Sequence, residues 1–256
     1  MMFTSATTID RLLQIRPGAV EFIESLDIGF WKRLELSVED FCRERKLDAA
    51  NLLKTVSGLP VPSKESDWYN EPLHRLLDYL TAEHRHFQGT DLPEISHLLD
   101  LHNIPVYPDG YVLRRIFQSY KSFEEKFLSH MREEEEHVFP HILRLEASIR
   151  NASLHPQLHR VSVKVFAVMQ SHPAEEDLKR SVADISEKVR HHRLQEPTAS
   201  VTGTIHRKLE ELEDRLAAHA ALEVEILFPR AVEIEKRVME RELGIQREIL
   251  PYTAPI

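Results

Sequence analysis

Residues 130–140 read HMREEEEHVFP, and residues 219–229 read HAALEVEILFP. Both fit one pattern: His, three residues, Glu, four residues, Phe-Pro. In a helix, side chains four positions apart lie about 40° apart on one face, so His and Glu at this spacing point the same way. The residues before each copy fix which way that is. Leu113, Ile116, Tyr120, Phe123 and Phe127 advance in steps of three and four, and the next two steps are His130 and Glu134. Ile205, Leu209, Leu212 and Leu216 do the same, and lead to His219 and Glu223. Both pairs thus stand where a helix packed in a core carries Leu or Phe. A lone His-x3-Glu is usually part of a solvated face. An imidazole and a carboxylate inside a core are costly unless they are paired or bind a metal, and here the placement occurs twice in one frame.

The rest of the chain is consistent with long helices. Of 256 residues only 7 are Gly, and they fall at breaks between periodic stretches. No convincing alternating strand is present. The net charge of −9 argues against a nucleic-acid groove or an anionic membrane surface as partner. Cys42 is the single cysteine, which excludes an intrachain disulfide and a CxxC site. The N-terminal MMFTSATTID lacks a basic region and an apolar core, so no signal peptide is expected. No apolar run approaches the roughly 20 residues of a membrane span. A reduced cytoplasm is the expected location.

Four short helices are predicted within residues 4–58. Thr8 caps the first near Ile9, and Pro17-Gly18 ends it. A second covers residues 19–26, Ser37 with Asp40 opens a third, and Leu47-Asp48 opens a fourth that ends near Gly58. Fifty residues make a thin core, so this unit (domain 1–58) is expected to dock or to dimerise. A linker with two prolines, residues 59–70, follows.

Residues 71–247 read as an up-down-up-down four-helix bundle, making the fold all-α. The first bundle helix is predicted from Glu71 to Phe87, capped by Asn70. Gly89 and Pro93 interrupt it, and a helical stretch resumes to His102. A loop covers 103–110. The second long helix runs to Arg150, with a kink favoured at Pro140, which lacks an N–H. A third runs from near His155-Pro156 towards His192, with His172-Pro173 as a candidate break, a loop covers 194–203, and the fourth extends from Thr204 to Glu242. Residues 248–256 form a tail.

The polar residues at seam positions are His84, His102, His130, Glu134, His159, His219 and Glu223. Five imidazoles and two carboxylates suit two octahedral metals that share bridging carboxylates and keep one position open. Donors without thiolate suit iron, zinc or manganese, and an open position suits iron that meets small diatomic molecules. His86 competes with His84, and His155 with His159. The remaining histidines, His74, His97, His141, His172, His191, His192 and His206 among them, are expected to be solvated or to orient ligands, with His137 the leading candidate for the second role. The run Glu133–Glu136 supplies one ligand and three solvated or orienting carboxylates.

With these motifs the chain resembles the hemerythrin-like di-iron proteins. It is most similar to the iron–sulfur cluster repair group, also called repair of iron centres (RIC) proteins. The family patterns HMxxEExxLFP and HxxxENxxLFPR are matched by HMREEEEHVFP and HAALEVEILFPR, and its EH-before-LPEL pattern by EHRHF and LPEI. The resemblance extends from about Thr7 to Arg230. It implies a non-haem centre of two iron ions, oxo- or hydroxo-bridged, with Glu134 and Glu223 bridging. His84, His102, His130, His159 and His219 would be terminal ligands. It implies a role in the nitrosative or oxidative stress response, with nitric oxide or oxygen as small ligand and damaged iron–sulfur proteins as partners. A sensor with a signalling partner is the alternative, and an oxidase or peroxidase a third. No nucleic acid or membrane partner is expected, and a homodimer through the N-terminal unit is one assembly considered. That unit keeps Pro17, Ala19, Phe22, Ser37, Cys42 and Leu47-Asp48 of the family pattern. The family's CysCys pair is replaced by Trp31-Lys32.

Overall fold

Short polar side chains start the first helices. Thr8 Oγ1 accepts from Arg11 N at 3.2 Å and opens α1 (Ile9–Ile15). A 3-10 turn, Pro17–Ala19, leads into α2 (Val20–Leu26), and a second, Ile28–Lys32, follows. Ser37 Oγ accepts from Asp40 N at 3.1 Å and opens α3 (Val38–Arg45). Asp48 Oδ1 accepts from Ala50 N at 2.9 Å and opens α4 (Ala49–Gly58). Each hydroxyl or carboxylate satisfies one of the N–H groups that a helix start leaves without an internal partner. Helices α1, α3 and α4 lie where their capping residues put them, and α2, which has no side-chain cap, follows directly on the Pro17–Ala19 turn.

In the computed structural model these helices join a body of longer ones, and the description covers residues 3–101, 110–150, 165, 173–195 and 200–242. The fold is all-helical, with no strand among the described residues. The body contains α5 (Leu73–His86), α6 (Leu92–Leu101), α7 (Gly110–Glu133), α8 (Phe139–Arg150), α9 (Pro173–Gln195), α10 (Ser200–Leu222) and α11 (Phe228–Glu242). Helix α9 packs on α7 and α10, α6 on the same two, and α8 on α5 and α11.

Among the described residues, three five-residue π-helical turns join these helices end to end. Phe87–Asp91 links α5 to α6, Glu134–Val138 links α7 to α8, and Glu223–Leu227 links α10 to α11. Each has one sequence rule. The N–H of Leu92, Phe139 or Phe228 donates five residues back, to Phe87, Glu134 or Glu223, and the next residue is Pro93, Pro140 or Pro229. A proline ring inside an α-helix clashes with the carbonyl four residues back and donates nothing to it. One extra residue in the preceding turn moves that carbonyl away, so the helix continues. Gly89 and Pro93 therefore do not interrupt the first long stretch, and Pro140 brings a π turn where a kink was expected.

Two other boundaries differ from expectation. Helix α5 begins at Leu73, and Asn70 turns aside to donate to Asp67 at 2.7 Å. Its first N–H groups are capped from a distant helix: Glu146 of α8 accepts from Leu73 N at 2.6 Å and His74 N at 3.1 Å. Of the loop expected over 194–203, residues 194–195 belong to α9 and 200–203 to α10.

Among the described residues the apolar side chains form two clusters. One gathers Leu73–Leu80 of α5, Val138–Leu145 of the second stretch and Ile226–Val238 of the last with the N-terminal helices. The other gathers Phe87–Leu99, Ile116–Met131, Leu178–Val189 and Ile205–Leu216. Along each of three helical stretches the chain passes from one cluster to the other, and His84, Glu134 and His219-Glu223 stand at the crossing.

The N-terminal helices share the first cluster with the body. Arg16, nearly fully buried, donates to both oxygens of Asp78 on α5, at 3.1 and 3.3 Å, and to Leu59 O at 2.9 Å. Gly18 makes this approach possible, since a Cβ there would stand 2.9 Å from Asp78 Oδ2. Arg85 of α5 donates to Ile15 O at 3.2 Å. Trp31 donates to Glu24 at 3.1 Å and shares a small cleft with Pro140 and Leu143 of α8. Cys42 is 1% exposed, and burial pushes its thiol pKa up.

Candidate metal centre

The repeated motif and the first long helix meet in one place. His84, Glu134, His219 and Glu223 are all buried, and one ligand atom from each lies within 4.8 Å of the others. His84 Nε2 is 3.1 Å from His219 Nε2 and 3.5 Å from Glu134 Oε2. His219 Nε2 is 3.3 Å from Glu223 Oε1, within one helix turn, as the motif spacing requires. His130 Nε2 stands 3.3 Å from Glu134 Oε1 in the same way, with its side chain 12% exposed. Both glutamates are the first residues of π turns, a helix deviation that concentrates at functional sites.

Apolar rings wall the cluster. Phe139 stacks on His84 with centroids 5.6 Å apart, and Phe87 meets His219 edge-on at 5.7 Å. Phe127 lies behind Phe87 at 5.1 Å. Burial, then the nearby His219 and Arg85, push the His84 pKa well below the usual histidine range. The ring is thus neutral, with one nitrogen lone pair to give. Its other nitrogen, Nδ1, is 3.1 Å from Glu135 Oε1. Burial raises the carboxyl pKa of Glu135, while Arg11 and Arg85 pull against that rise.

This donor set fits a transition metal. Two ligand atoms on one ion with bonds of about 2.1 Å stand roughly 3–4.2 Å apart, adjacent to opposite, and the distances of 3.1, 3.3 and 3.5 Å above fall within that range. Two carboxylates and neutral imidazoles supply the charge and the donor type that iron, zinc or manganese accept, with no thiolate. Two buried glutamates also need a positive charge close by.

Of the seven expected ligands, the structure brings together His84, Glu134, His219 and Glu223, with His130 against Glu134. His102 and His159, like His155 and His172, lie outside the described residues. His86 is not in the cluster: its side chain is 41% exposed and meets Asp91 at 3.3 Å. His137 does not orient a ligand, since it is exposed and pairs with Glu133 at 3.5 Å. Among the other histidines, His97 and His191 are exposed, but His74, His141 and His206 are buried. Their neighbours are Glu146 at 2.9 Å, Glu235 at 3.5 Å and Glu210 at 3.3 Å. Partners 72 or 94 residues away leave no trace in local periodicity.

No protein-family model matches the chain, and no curated protein matches it.

Proposed function

We propose that the chain is a hemerythrin-like protein of the iron–sulfur cluster repair type, whose bundle holds a pair of non-haem iron ions. The observation that supports this most is the buried His84/Glu134/His219/Glu223 group, assembled by two copies of one motif between two apolar clusters. His84, Glu134, His219 and Glu223 would be ligands from three helical stretches, and His130 joins them beside Glu134. His102 and His159 complete the set that the resemblance assigns. Bound iron supplies redox chemistry and a coordination position for a small diatomic molecule such as nitric oxide or oxygen.

The protein's own residues define what such a site does. Phe87, Phe127 and Phe139 keep bulk water out, which strengthens every charge interaction inside. Glu134 and Glu223 bring two negative charges that favour the more highly charged metal state. His84 and His219 enter as neutral donors. In this reading the protein acts in the cytoplasm during nitrosative or oxidative stress, and supplies or restores iron in damaged iron–sulfur proteins.

One observation favours a second reading, a nitric-oxide or oxygen sensor. Trp31 and Lys32 occupy the positions of the thiol pair, and Trp31 is used for packing. The N-terminal unit then transmits occupancy to a signalling partner and relays no metal or electrons. Complementation separates the two. Restored activity of iron–sulfur enzymes in a repair-deficient strain supports the first reading. No restoration, with iron bound and nitric oxide captured, supports the second.

A further inference from the structure

We infer that Glu135 is a positioning residue that fixes which nitrogen of His84 faces the metal. The inference rests on the metal reading of the cluster, and concerns a residue outside the expected ligand set.

Glu134 and Glu135 are neighbours on one π turn, and their side chains serve the two sides of one imidazole. Glu134 Oε2 lies 3.5 Å from His84 Nε2, on the side of His219. Glu135 Oε1 lies 3.1 Å from His84 Nδ1, on the opposite side of the ring. A neutral imidazole has one N–H and one lone pair. A carboxylate at Nδ1 accepts the N–H there, and so leaves the Nε2 lone pair for the ion. The stacked Phe139 ring, 5.6 Å away, restrains rotation about the ring axis but does not choose the nitrogen. That choice falls to Glu135. Its side chain is 19% exposed, so it stands between the dry interior and solvent. The charges of Arg11 and Arg85 bear on it. Arg85 is held by the carbonyl of Ile15 at 3.2 Å.

The test compares full-length wild type with Glu135→Gln and Glu135→Leu. Gln keeps an oxygen that accepts from Nδ1, and Leu keeps the bulk only. Nitrogen NMR of the metal-free proteins reads the His84 tautomer. Anaerobic competition with a chromophoric chelator reads the affinity for ferrous iron and for zinc. Wild type and Glu135→Gln should show the proton on Nδ1, and Glu135→Leu should lose that preference. Glu135→Leu should bind either metal roughly 10–100-fold more weakly, the usual effect of removing a partner behind a ligating histidine. Glu135→Gln should stay within a few-fold of wild type. An unchanged tautomer and unchanged affinity in Glu135→Leu would overturn the inference. If wild type binds neither metal, the metal reading fails, and the tautomer comparison alone then decides whether Glu135 sets the ring. A loss in Glu135→Leu from misfolding is told apart by Glu135→Gln, which under this inference retains both readouts.

Discussion

Helix α5 carries two buried histidines, and each meets a glutamate from the neighbouring stretch, yet the two arrangements are built differently. Glu146 is surrounded by donors: Leu73 N at 2.6 Å, His74 N at 3.1 Å, His74 Nδ1 at 2.9 Å and Arg150 at 3.0 Å. Arg150 also donates to Glu24 at 3.1 Å, which ties the N-terminal helices into the network. Every group there has an assigned structural task, and the carboxylate serves as a helix cap. At His84 the neighbours are instead another imidazole nitrogen and the oxygens of two glutamates, drawn to one point. The first arrangement answers its own charge with Arg150 and backbone N–H groups. The second concentrates donors of electron pairs, which is what a cation requires. Burial of a His–Glu pair therefore does not by itself indicate a ligand set. What the carboxylate oxygens face does.

This contrast predicts opposite outcomes for matched substitutions. The largest effect is expected for Glu134→Ala with Glu223→Ala. Iron content should fall to near zero by elemental analysis, while the metal-free protein stays folded, because each Ala removes a buried acid whose desolvation opposes folding. Glu146→Ala should do the reverse. It leaves metal content unchanged, and it costs about 3–5 kcal/mol in denaturant unfolding, since Arg150 and the α5 terminus lose their partner. Metal removal comes next. A chelator should lower the stability of wild type by about 2.7 kcal/mol relative to protein at a free metal concentration a hundred times the dissociation constant. The double glutamate variant should show no such shift.

The smallest effect concerns acid. Burial alone would raise the pKa of Glu146, but His74, Arg150 and the N–H of Leu73 outweigh it and hold it below its ordinary value of 4.5. The folded state thus binds this proton less readily than the unfolded chain. The stabilisation is present above pH 4.5 and is lost as pH falls through the lower folded value. Unfolding curves between neutral and acid pH should therefore steepen in wild type, and be flatter on the acid side in Glu146→Gln.

The sequence made one of these two assemblies legible and hid the other. His219 and Glu223 follow an unbroken three-four apolar period, so their burial is a local inference. His74 and Glu146 are brought together by packing of α5 on α8, and no local period encodes that. The same division holds for helix starts. Thr8, Ser37 and Asp48 cap their own helices and are readable, whereas Asn70 looked like a cap and the cap came from Glu146. The π turns lie between these cases. Pro93, Pro140 and Pro229 announce a backbone problem, but whether a helix bends or gains a residue depends on the packing around it. The stretches with His102 and His159 lie outside the described residues, and of the expected seven the structure groups four, His84, Glu134, His219 and Glu223, with His130 beside Glu134.

Metal content with an optical spectrum, on protein purified without added metal, tests the central claim most directly. The account predicts about two irons per chain and near-ultraviolet absorption from a ferric pair. Protein that is folded, takes up no iron when supplied with it, and keeps its stability in a chelator would contradict it.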